Sequence, residues 1–302
     1  MNKEEKKEFY KKLIKEHFDA KISLTKLSRK YMIGRDTIAF NFKKLGFYPI
    51  NYQNLINFNE NVFDYIDTEE KSYWLGFIYA DGTISSKNIN HCYQFELGLK
   101  LSDKCHLEKF KKFLCWNKNI ITDSYRCRVV FNNKHLWTIL NNYGCTPNKS
   151  LTLEFPNEKI FSSKKLIRHF LRGYFDGDGC ISYCKHIHIV SIASSVLGTP
   201  EFLNSFEKYI GLKNVTRSHD ERHSIHTQAL SFKINESVKL INFLYNDSSI
   251  YLDRKYKRYE FFKDSYSRPL EELSGLLESN IGEDCDVNTE INSEISKGSE
   301  SS

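Results

Sequence analysis

The sequence lacks long apolar runs, a hydrophobic leader and paired cysteines. No stretch approaches the roughly 18 consecutive apolar residues that a membrane-spanning helix requires, and the first residues, MNKEEKKEFYKKLIKEHF, are too charged for a signal peptide. The eight cysteines form no Cys-x-x-Cys pair, so the two knuckles of a structural zinc site are missing. The nearest cluster lies along one predicted strand and its turn, which favours strand-facing side chains over zinc ligands: Cys180, Cys184, His186 and His188. These absences predict a soluble, intracellular protein with no membrane partner.

The charge of the chain is unevenly distributed. The segment from residue 265 to 302 holds nine acidic residues against Arg268 and Lys297. Because the whole chain carries +6 and this segment carries −7, the remainder carries +13. Such a basic body favours polyanionic partners, since lysine and arginine bind phosphates without reading sequence; an ordinary solvated surface is the alternative. The acidic segment is rich in serine, glutamate and asparagine, which is typical of a disordered tail.

The first 50 residues have the pattern of a helix-turn-helix module. Apolar residues at helical spacing predict a first helix from Glu4 to Phe18. Ser23 can cap a second helix over residues 24–31, and a third helix from Arg35 to Leu45 follows a tight turn. In such modules the third helix enters the major groove, so it carries the expected DNA contacts: Arg35, Thr37, Asn41, Lys43 and Lys44. A helical bundle that only packs on its neighbour is the alternative.

One short motif occurs twice in the chain. Residues 74–82 (WLGFIYADG) recur as residues 171–179 (LRGYFDGDG), and each copy is followed by alternating strands, a helix, further strands and another helix. Each copy has small residues four positions apart, which lets two helices approach more closely than usual: Gly76 with Ala80, and Gly173 with Gly177. The duplication predicts a pseudo-twofold body with the two motif helices packed at its centre.

Both motif copies end in Asp-Gly, which places Asp81 and Asp178 at helix C-termini. The helix dipole disfavours a carboxylate there by roughly 0.3–1 kcal/mol. If the two helix ends lie side by side, like charges meet and need a cation, and hard oxygen ligands suit Mg²⁺. An ordinary Asp-Gly turn is the alternative, but it is a weaker explanation for two copies with matching glycines.

The two nonamers resemble the signature of the LAGLIDADG homing endonucleases, whose last aspartate is a metal ligand. The resemblance covers roughly residues 70–262. It implies an α+β fold of two αββαββα repeats, with the motif helices at the centre and antiparallel sheets that form a saddle over DNA. It carries the ligand role onto Asp81 and Asp178. Tyr79 departs from the family pattern, which often has an acidic residue there, whereas Asp176 keeps it; changes at either are expected to cost stability more than chemistry.

These features divide the chain into five segments. They are a helix-turn-helix module (1–50), a linker (51–65), the first repeat (66–158), the second repeat (159–264) and the acidic tail (265–302). Because both repeats belong to one chain, we expect a monomer with internal pseudo-twofold symmetry.

Alternating strands supply further expected contacts to DNA. The predicted apolar positions are Tyr93, Phe95, Leu97, Leu99 and Leu101 in one strand, Tyr125, Cys127, Val129 and Phe131 in another, and Ile187 and Ile189 in the second repeat. A polar, basic strand face can lie in the major groove, whereas an ordinary half-exposed sheet is the alternative. The expected contacts are the residues between these apolar positions: Lys100, Arg126, Arg128, His186 and His188.

Each repeat also carries a lysine at a similar distance beyond its motif, Lys149 in GCTPNKS and Lys255 in YLDRKY. A basic residue there resembles the family's active-site lysine, which stabilises the pentavalent phosphate or orients the attacking water. A solvated surface lysine is the alternative. Lys100 is a weaker candidate for a residue that holds the water network.

Together these patterns predict a site-specific double-strand DNA endonuclease that uses Mg²⁺ or Mn²⁺. Asp81, Asp178, Lys149 and Lys255 are the expected catalytic residues, and backbone carbonyls near Ala80 and Gly177 are expected to complete the metal coordination. Each repeat would cut one strand. A non-cleaving DNA- or RNA-binding protein of the same fold, such as an intron maturase or a transcription regulator, is the alternative; the presence of both aspartates favours the enzyme.

Overall fold

The computed structural model describes residues 2–20, 22–49, 58–87, 92–185, 188–219, 227–269 and Glu272. The chain divides into two compact units, one of Met1–Phe58 with Trp116–Lys118 and one of Asn59–Cys115 with Asn119–Ser302. His186, most of the predicted linker and most of the acidic segment lie outside the described residues. Within the described ranges no helix has both the length and the apolar character needed to cross a bilayer.

The described part of the N-terminal unit is helical, with α1 (Lys3–Phe18), α2 (Leu24–Tyr31) and α3 (Arg35–Lys44). Ser23 caps α2, because its Oγ accepts a hydrogen bond from the Lys26 N–H at 3.3 Å. Met32 ends α2 in the left-handed region, with φ of 54°. The core of this unit consists of Tyr10, Leu13, Ile14, Leu27, Ile38 and Phe42. The predicted helices are confirmed to within one residue at each end.

The second unit contains two copies of the order α-β-β-α-β-β-α among its described residues. The first copy comprises α4 (Glu69–Asp81), β1 (Gly82–Lys87), β2 (Cys92–Lys100), α5 (Lys104–Phe113), β3 (Ile121–Thr122), β4 (Arg126–Asn132) and α6 (Lys134–Asn142). The second comprises α7 (Lys165–Asp178), β5 (Gly179–Lys185), β6 (Ile189–Gly198), α8 (Pro200–Ile210), β7 (Val215–His219), β8 (Gln228–Phe232) and α9 (Ile234–Tyr245). It is followed by α10 (Asp253–Phe262) and β9 (Ser267–Pro269). The predicted α+β architecture of two repeats is therefore confirmed.

The strands of each repeat pair into an antiparallel sheet, in the orders β1-β2-β4-β3 and β5-β6-β8-β7. The register is equivalent as well, since Gly82 pairs with Leu97 and Gly179 pairs with Val196. In the first sheet the alternation predicted from the sequence buries Phe95, Leu97, Cys127, Val129 and Phe131. The opposite face of β4 exposes Arg126 and Arg128. One face of this sheet therefore joins the core and the other is polar.

The motif helices α4 and α7 pack against each other at the centre of the second unit. A Cβ atom at Gly76 would lie 1.9 Å from the Phe170 carbonyl oxygen, and one at Gly173 would lie 1.9 Å from the Tyr73 carbonyl oxygen. No side chain fits where two backbones approach this closely, so both positions require glycine. This close contact confirms the packing predicted from the four-residue spacing, and it brings the two helix C-termini side by side.

The edges of the second unit differ from the predicted segments. Val62 and Phe63, assigned to the linker, are buried. Ser267–Pro269, assigned to the tail, forms β9 and pairs with Ile189–Ser191 of β6. The reason is that β6 is longer than its partner: β8 pairs only with the part of β6 from Ser194 to Gly198, which leaves the first residues of β6 for another strand.

Three predicted apolar strand positions prove to be exposed. Tyr125 is 83% exposed because it precedes β4, in a turn where Asp123 Oδ1 accepts hydrogen bonds from the backbone N–H groups of Tyr125 and Arg126. Leu101 lies beyond β2 in a short 3₁₀ turn, and Ile189 is the first residue of β6. Alternation therefore holds within the strands and fails at their ends.

Candidate active site

Asp81 and Asp178 end the two motif helices, at the point where these helices meet. A Cβ atom at Gly177 would lie 3.1 Å from Asp81 Oδ2, so the Asp81 carboxylate lies directly against the other helix end. The pKa of Asp81 is raised to about 7, first by burial and then by the negative charge of Asp178. Lys255, Lys149 and Arg254 act against this rise. The two carboxylates are therefore close enough to interact.

Each motif helix receives the lysine of its own repeat at its C-terminal end. Lys149, in a 3₁₀ turn (Lys149–Leu151), donates a hydrogen bond from Nζ to the Ala80 carbonyl oxygen at 2.8 Å. Lys255, on α10, donates to the carbonyl oxygens of Phe175 at 2.7 Å and Asp176 at 2.9 Å, and to that of Gly179. Cations at these positions satisfy carbonyls of the last helical turn and stabilise the helix end.

Both lysines are buried, with exposed fractions of 8% for Lys149 and 1% for Lys255. The alternative of solvated surface lysines is therefore wrong. Burial lowers the pKa of Lys255 to about 7, and the neighbouring Arg254 lowers it too, whereas Asp176, Asp81 and Asp178 raise it. The two helix ends thus combine paired carboxylates with paired, partly desolvated cations.

Arg254 is a further cation at this site, which the sequence analysis did not select. Its Nε donates a hydrogen bond to Asp103 Oδ2 at 3.1 Å, and its charge lowers the pKa of Asp81. The position before the other lysine is Asn148, so the two halves of the site differ in charge. The sequence signal was the Arg254–Lys255 pair, of which only the lysine has a counterpart in the first repeat.

The ends of the motif helices open on a cleft of about 440 Å³. Asp81 and Gly177 line this cleft together with strand residues of both sheets. The register of β2 and β4 brings Lys100 opposite Arg126 and Gly98 opposite Arg128. Three of the cations that line the cleft are the basic strand residues predicted from the sequence, Lys100, Arg126 and Arg128. The other two are Arg254 and Arg258.

The second sheet presents a polar strand that the sequence analysis missed. Thr216, Arg217, Ser218 and His219 of β7 are all exposed, and Arg217 Nη2 donates to Glu207 Oε2 at 2.9 Å. A strand that is exposed on both faces has no apolar alternation, which explains why the pattern was not recognised. The predicted contact His188 is exposed, but it lies in the turn before β6 instead of on a strand face.

The residues predicted to contact DNA from the third helix belong to the separate N-terminal unit. Arg35, Thr37, Lys43 and Lys44 are exposed on α3. Asn41 is half-buried, and its Nδ2 donates to the Thr37 carbonyl oxygen at 2.8 Å. The exposed surface of α3 is therefore basic.

The donor set at the paired aspartates suits a hard divalent cation. Two carboxylates and the carbonyls of the last helical turn are oxygen donors of the kind that Mg²⁺ and Mn²⁺ prefer. The Ala80 carbonyl accepts from Lys149 but has a second lone pair. Within the described ranges no three His, Cys, Asp or Glu side chains form a metal-binding cluster. The residues present therefore fit a metal held by two carboxylates and backbone oxygens.

Comparison with known proteins gives a likeness of structure at low sequence identity. No family model matches the sequence, and no curated protein matches it significantly. The I-LtrWI LAGLIDADG homing endonuclease bound to target DNA is 15% identical, with 70% of this chain and 97% of that chain covered and a TM-score of 0.45. The LAGLIDADG homing endonuclease I-GzeII in complex with its DNA target is 16% identical, with 75% and 96% covered and a TM-score of 0.42. The LAGLIDADG meganuclease I-AabMI bound to uncleaved DNA is 14% identical, with 70% and 98% covered and a TM-score of 0.44.

The two halves of the second unit repeat the same arrangement around their motif helices. Each motif helix ends in an aspartate followed by glycine, and the glycine is the first residue of a strand in both repeats. The helix pair, the two sheets and the buried lysines follow the same order in both halves of the second unit.

Proposed function

We propose that this chain is a site-specific double-strand DNA endonuclease of the LAGLIDADG homing endonuclease family. The proposal rests mainly on the contact of the two motif helices at Asp81 and Gly177. Asp178, which follows Gly177, supplies a second carboxylate that interacts with Asp81. Two half-buried carboxylates beside two buried lysines are costly, because each charge loses hydration energy on burial and the helix dipole disfavours a carboxylate at a helix C-terminus. Such an arrangement is typical of a site that handles a charged substrate.

Asp81 and Asp178 would hold Mg²⁺ or Mn²⁺, with help from the backbone carbonyls of Ala80 and Gly177. When bound, the divalent ion supplies Lewis-acid stabilisation of charge on the phosphate oxygens. The two carboxylates would hold the ion from the ends of both motif helices. Burial first, and then the charge of Asp178, raise the pKa of Asp81, and a divalent cation between the two carboxylates would favour their ionised forms.

Lys149 and Lys255 would stabilise the charge that develops on the scissile phosphates, one lysine for each strand. Each is held by backbone carbonyls of its own motif helix, which fixes the ammonium group before the substrate arrives. A donor that is positioned in advance needs no reorganisation during the reaction. Because each repeat contributes one aspartate and one lysine, the two repeats would cut opposite strands.

Basic side chains around the cleft would bind the DNA backbone and read base edges. Lys100, Arg126 and Arg128 would contribute from the first sheet, and the exposed residues of β7, above all Arg217 and His219, from the second. His186 and His188, in the segment between β5 and β6, are proposed as additional contacts of the second repeat.

The N-terminal unit would add affinity through Arg35, Thr37, Asn41, Lys43 and Lys44. Replacing Arg35, Lys43 and Lys44 by alanine should weaken binding and reduce the salt dependence of the dissociation constant. The matched control replaces three exposed lysines of α1, Lys7, Lys12 and Lys15, which changes the net charge equally. An equal loss in both variants would show a general effect of charge and count against a DNA-reading role of α3.

Incubating the full chain with a plasmid library that carries a randomised site, in Mg²⁺ and in EDTA, tests the proposal. We expect Mg²⁺-dependent linearisation of a related set of sites, followed by sequencing of the ends. The Asp81→Asn/Asp178→Asn double variant is the control, and it should bind the selected site without cutting it. Binding without any cleavage by the unaltered chain would instead indicate a non-cleaving DNA-binding protein of the same fold.

A further inference from the structure

We infer that Tyr79 and Asp176 are positioning residues, each of which holds the lysine of its own repeat at the motif-helix end. The effect on cleavage rests on the proposed function, whereas the positioning of the two lysine segments does not depend on it. Tyr79 and Asp176 occupy the same motif position, two residues before Asp81 and Asp178. Both are buried, with exposed fractions of 1%, and both form hydrogen bonds to the backbone just upstream of a lysine.

Tyr79 holds the segment that leads to Lys149. Its hydroxyl donates a hydrogen bond to the Tyr143 carbonyl oxygen. The next residue, Gly144, has a φ of 108°, and a Cβ there would lie 2.6 Å from the Tyr79 hydroxyl oxygen. Glycine is therefore required by both the backbone conformation and the contact. The phenol thus fixes the turn after α6, from which the chain runs to Lys149.

Asp176 holds the segment that leads to Lys255. Its Oδ2 accepts a hydrogen bond from the Leu252 N–H at 2.8 Å, at the residue that precedes α10. The same carboxylate accepts from the Tyr73 hydroxyl at 2.7 Å and from the Tyr245 hydroxyl at 2.5 Å. Since Lys255 lies in the first turn of α10, fixing Leu252 also fixes the start of the helix that carries the lysine.

The chemistry at this motif position follows the backbone group that it meets. The first repeat offers a carbonyl oxygen, which needs a donor, and Tyr79 supplies a hydroxyl. The second repeat offers an N–H group, which needs an acceptor, and Asp176 supplies a carboxylate. An acidic residue at position 79 would face a carbonyl oxygen and be repelled by it. The departure of the first motif from the acidic family pattern is thus explained by its partner.

Hydrogen exchange of the full chain tests the structural part without any need for cleavage. Asp176→Asn places an amide donor among three donors, so exchange should rise about tenfold or more at residues 251–256 and stay unchanged at residues 143–151. Tyr79→Phe should give the reverse pattern. Ser72→Ala is the matched control, because Ser72 Oγ donates to the Leu166 carbonyl oxygen at 2.6 Å across the same helix pair, away from both lysines. Ser72→Ala should not raise hydrogen exchange in one lysine segment over the other.

Strand-resolved nicking of the selected site tests the catalytic part. Asp176→Asn should slow the cutting of one strand by about 10–100-fold and Tyr79→Phe that of the other, as expected when the support of an active-site group is lost. The DNA concentration at half-saturation should change by less than about twofold, so that the effect lies in the cleavage step. Lys255→Ala should slow the same strand as Asp176→Asn, and combining the two should cost no more than Lys255→Ala alone.

Equal exchange increases in both lysine segments for either variant, or no increase in either segment, would overturn the inference. So would nicking rates that fall equally on both strands, or a double variant in which the two losses multiply. Complete absence of cleavage by the unaltered chain would refute the proposed endonuclease function instead, and the exchange pattern would still decide whether Tyr79 and Asp176 hold the lysine segments.

Discussion

Lys149 Nζ lies 2.8 Å from the carbonyl oxygen of Ala80, the residue before Asp81. This hydrogen bond joins a proposed catalytic cation to the helix end that presents the proposed metal ligand. Lys255 also donates to carbonyl oxygens at the end of α7, those of Phe175 and Asp176, which lie two and one motif positions earlier than the counterpart of Ala80. The lysines therefore have two roles, because they stabilise the C-termini of the motif helices and concentrate positive charge next to the aspartates.

Removing either lysine charge should strongly slow the cleavage of one strand while DNA binding is retained. In Lys149→Met and Lys255→Met the side chain keeps most of its length but can no longer donate to the carbonyls or to a phosphate. We expect a rate loss of about 100-fold or more, as for the removal of an oxyanion donor. The exposed Lys257 lies on the same helix as Lys255, and Lys257→Met should cleave normally. Similar losses in all three variants would argue against specific roles for the two buried lysines.

Alanine at the glycine contact should destabilise the second unit. In Gly173→Ala the new methyl group would lie 1.9 Å from the Tyr73 carbonyl oxygen, so the helices must separate. We expect the free energy of unfolding to fall by about 3 kcal/mol or more, at or beyond the upper end of overpacking in cores. Gly98→Ala is the control, because its methyl group would have its nearest neighbour at 3.9 Å. Urea denaturation of both variants checks this, and equal stabilities would contradict the close approach.

Arg172, near the middle of α7, should be essential for stability. It is fully buried and donates to Glu69 Oε1 at 2.6 Å, to the Ile250 carbonyl oxygen at 2.9 Å and to the Leu244 carbonyl oxygen at 3.1 Å. Arg172→Met leaves these acceptors without their donor, and we expect a loss of about 3–5 kcal/mol. Arg168→Met, on the same helix, is the control. A loss below about 1 kcal/mol in thermal or urea unfolding would show that the network is dispensable.

The lowered pKa of His169 should make the stability of the protein depend on pH. Arg172 Nη1 donates to His169 Nδ1 at 2.8 Å, so the imidazole must be neutral in the folded state. Burial, followed by the charge of Arg172, lowers its pKa to about 4, whereas the unfolded value is about 6.5. Between these values the unfolded chain binds a proton that the folded protein does not, so stability falls as the pH drops from 6.5 to 4.

His169→Gln should flatten this part of the stability profile. The residual slope should retain the sign of the His106 contribution, since burial also lowers the pKa of His106 well below its ordinary value. Urea midpoints measured from pH 7.5 to 4.5 check this prediction. Parallel profiles for the unaltered chain and His169→Gln would show that His169 is protonated in the folded protein.

The elements that sequence patterns predicted well are those governed by local rules. Ser23 and the apolar spacing predicted both ends of α2 correctly, and the repeated Asp-Gly predicted the C-terminal ends of α4 and α7. The glycines four residues before Ala80 and Gly177 predicted a helix contact because close approach admits no other residue. In these cases the residue type is dictated by the backbone next to it.

What the sequence did not predict depends on partners that are distant along the chain. β9 forms because β6 is longer than its partner β8, which no local pattern reveals. The role of Asp176 depends on donors from Tyr73 and Tyr245, on two different helices. The position of Arg254 at the site depends on the contact of α10 with Asp103, which is distant along the chain. Each of these depends on contacts between residues that the fold, and not the local sequence, brings together.

Strand-resolved cleavage of the selected DNA site by Asp81→Asn, Asp178→Asn and the double variant tests the central claim most directly. Asparagine keeps the shape of aspartate and removes its charge, so all three variants should fold and bind the site, and without metal they should bind at least as well as the unaltered chain because a charge that repels phosphate is gone. Each single variant should lose cleavage by orders of magnitude, or nick one strand preferentially, and the double variant should not cut. Full Mg²⁺-dependent double-strand cleavage by the double variant would contradict both the metal-site assignment and the enzymatic function.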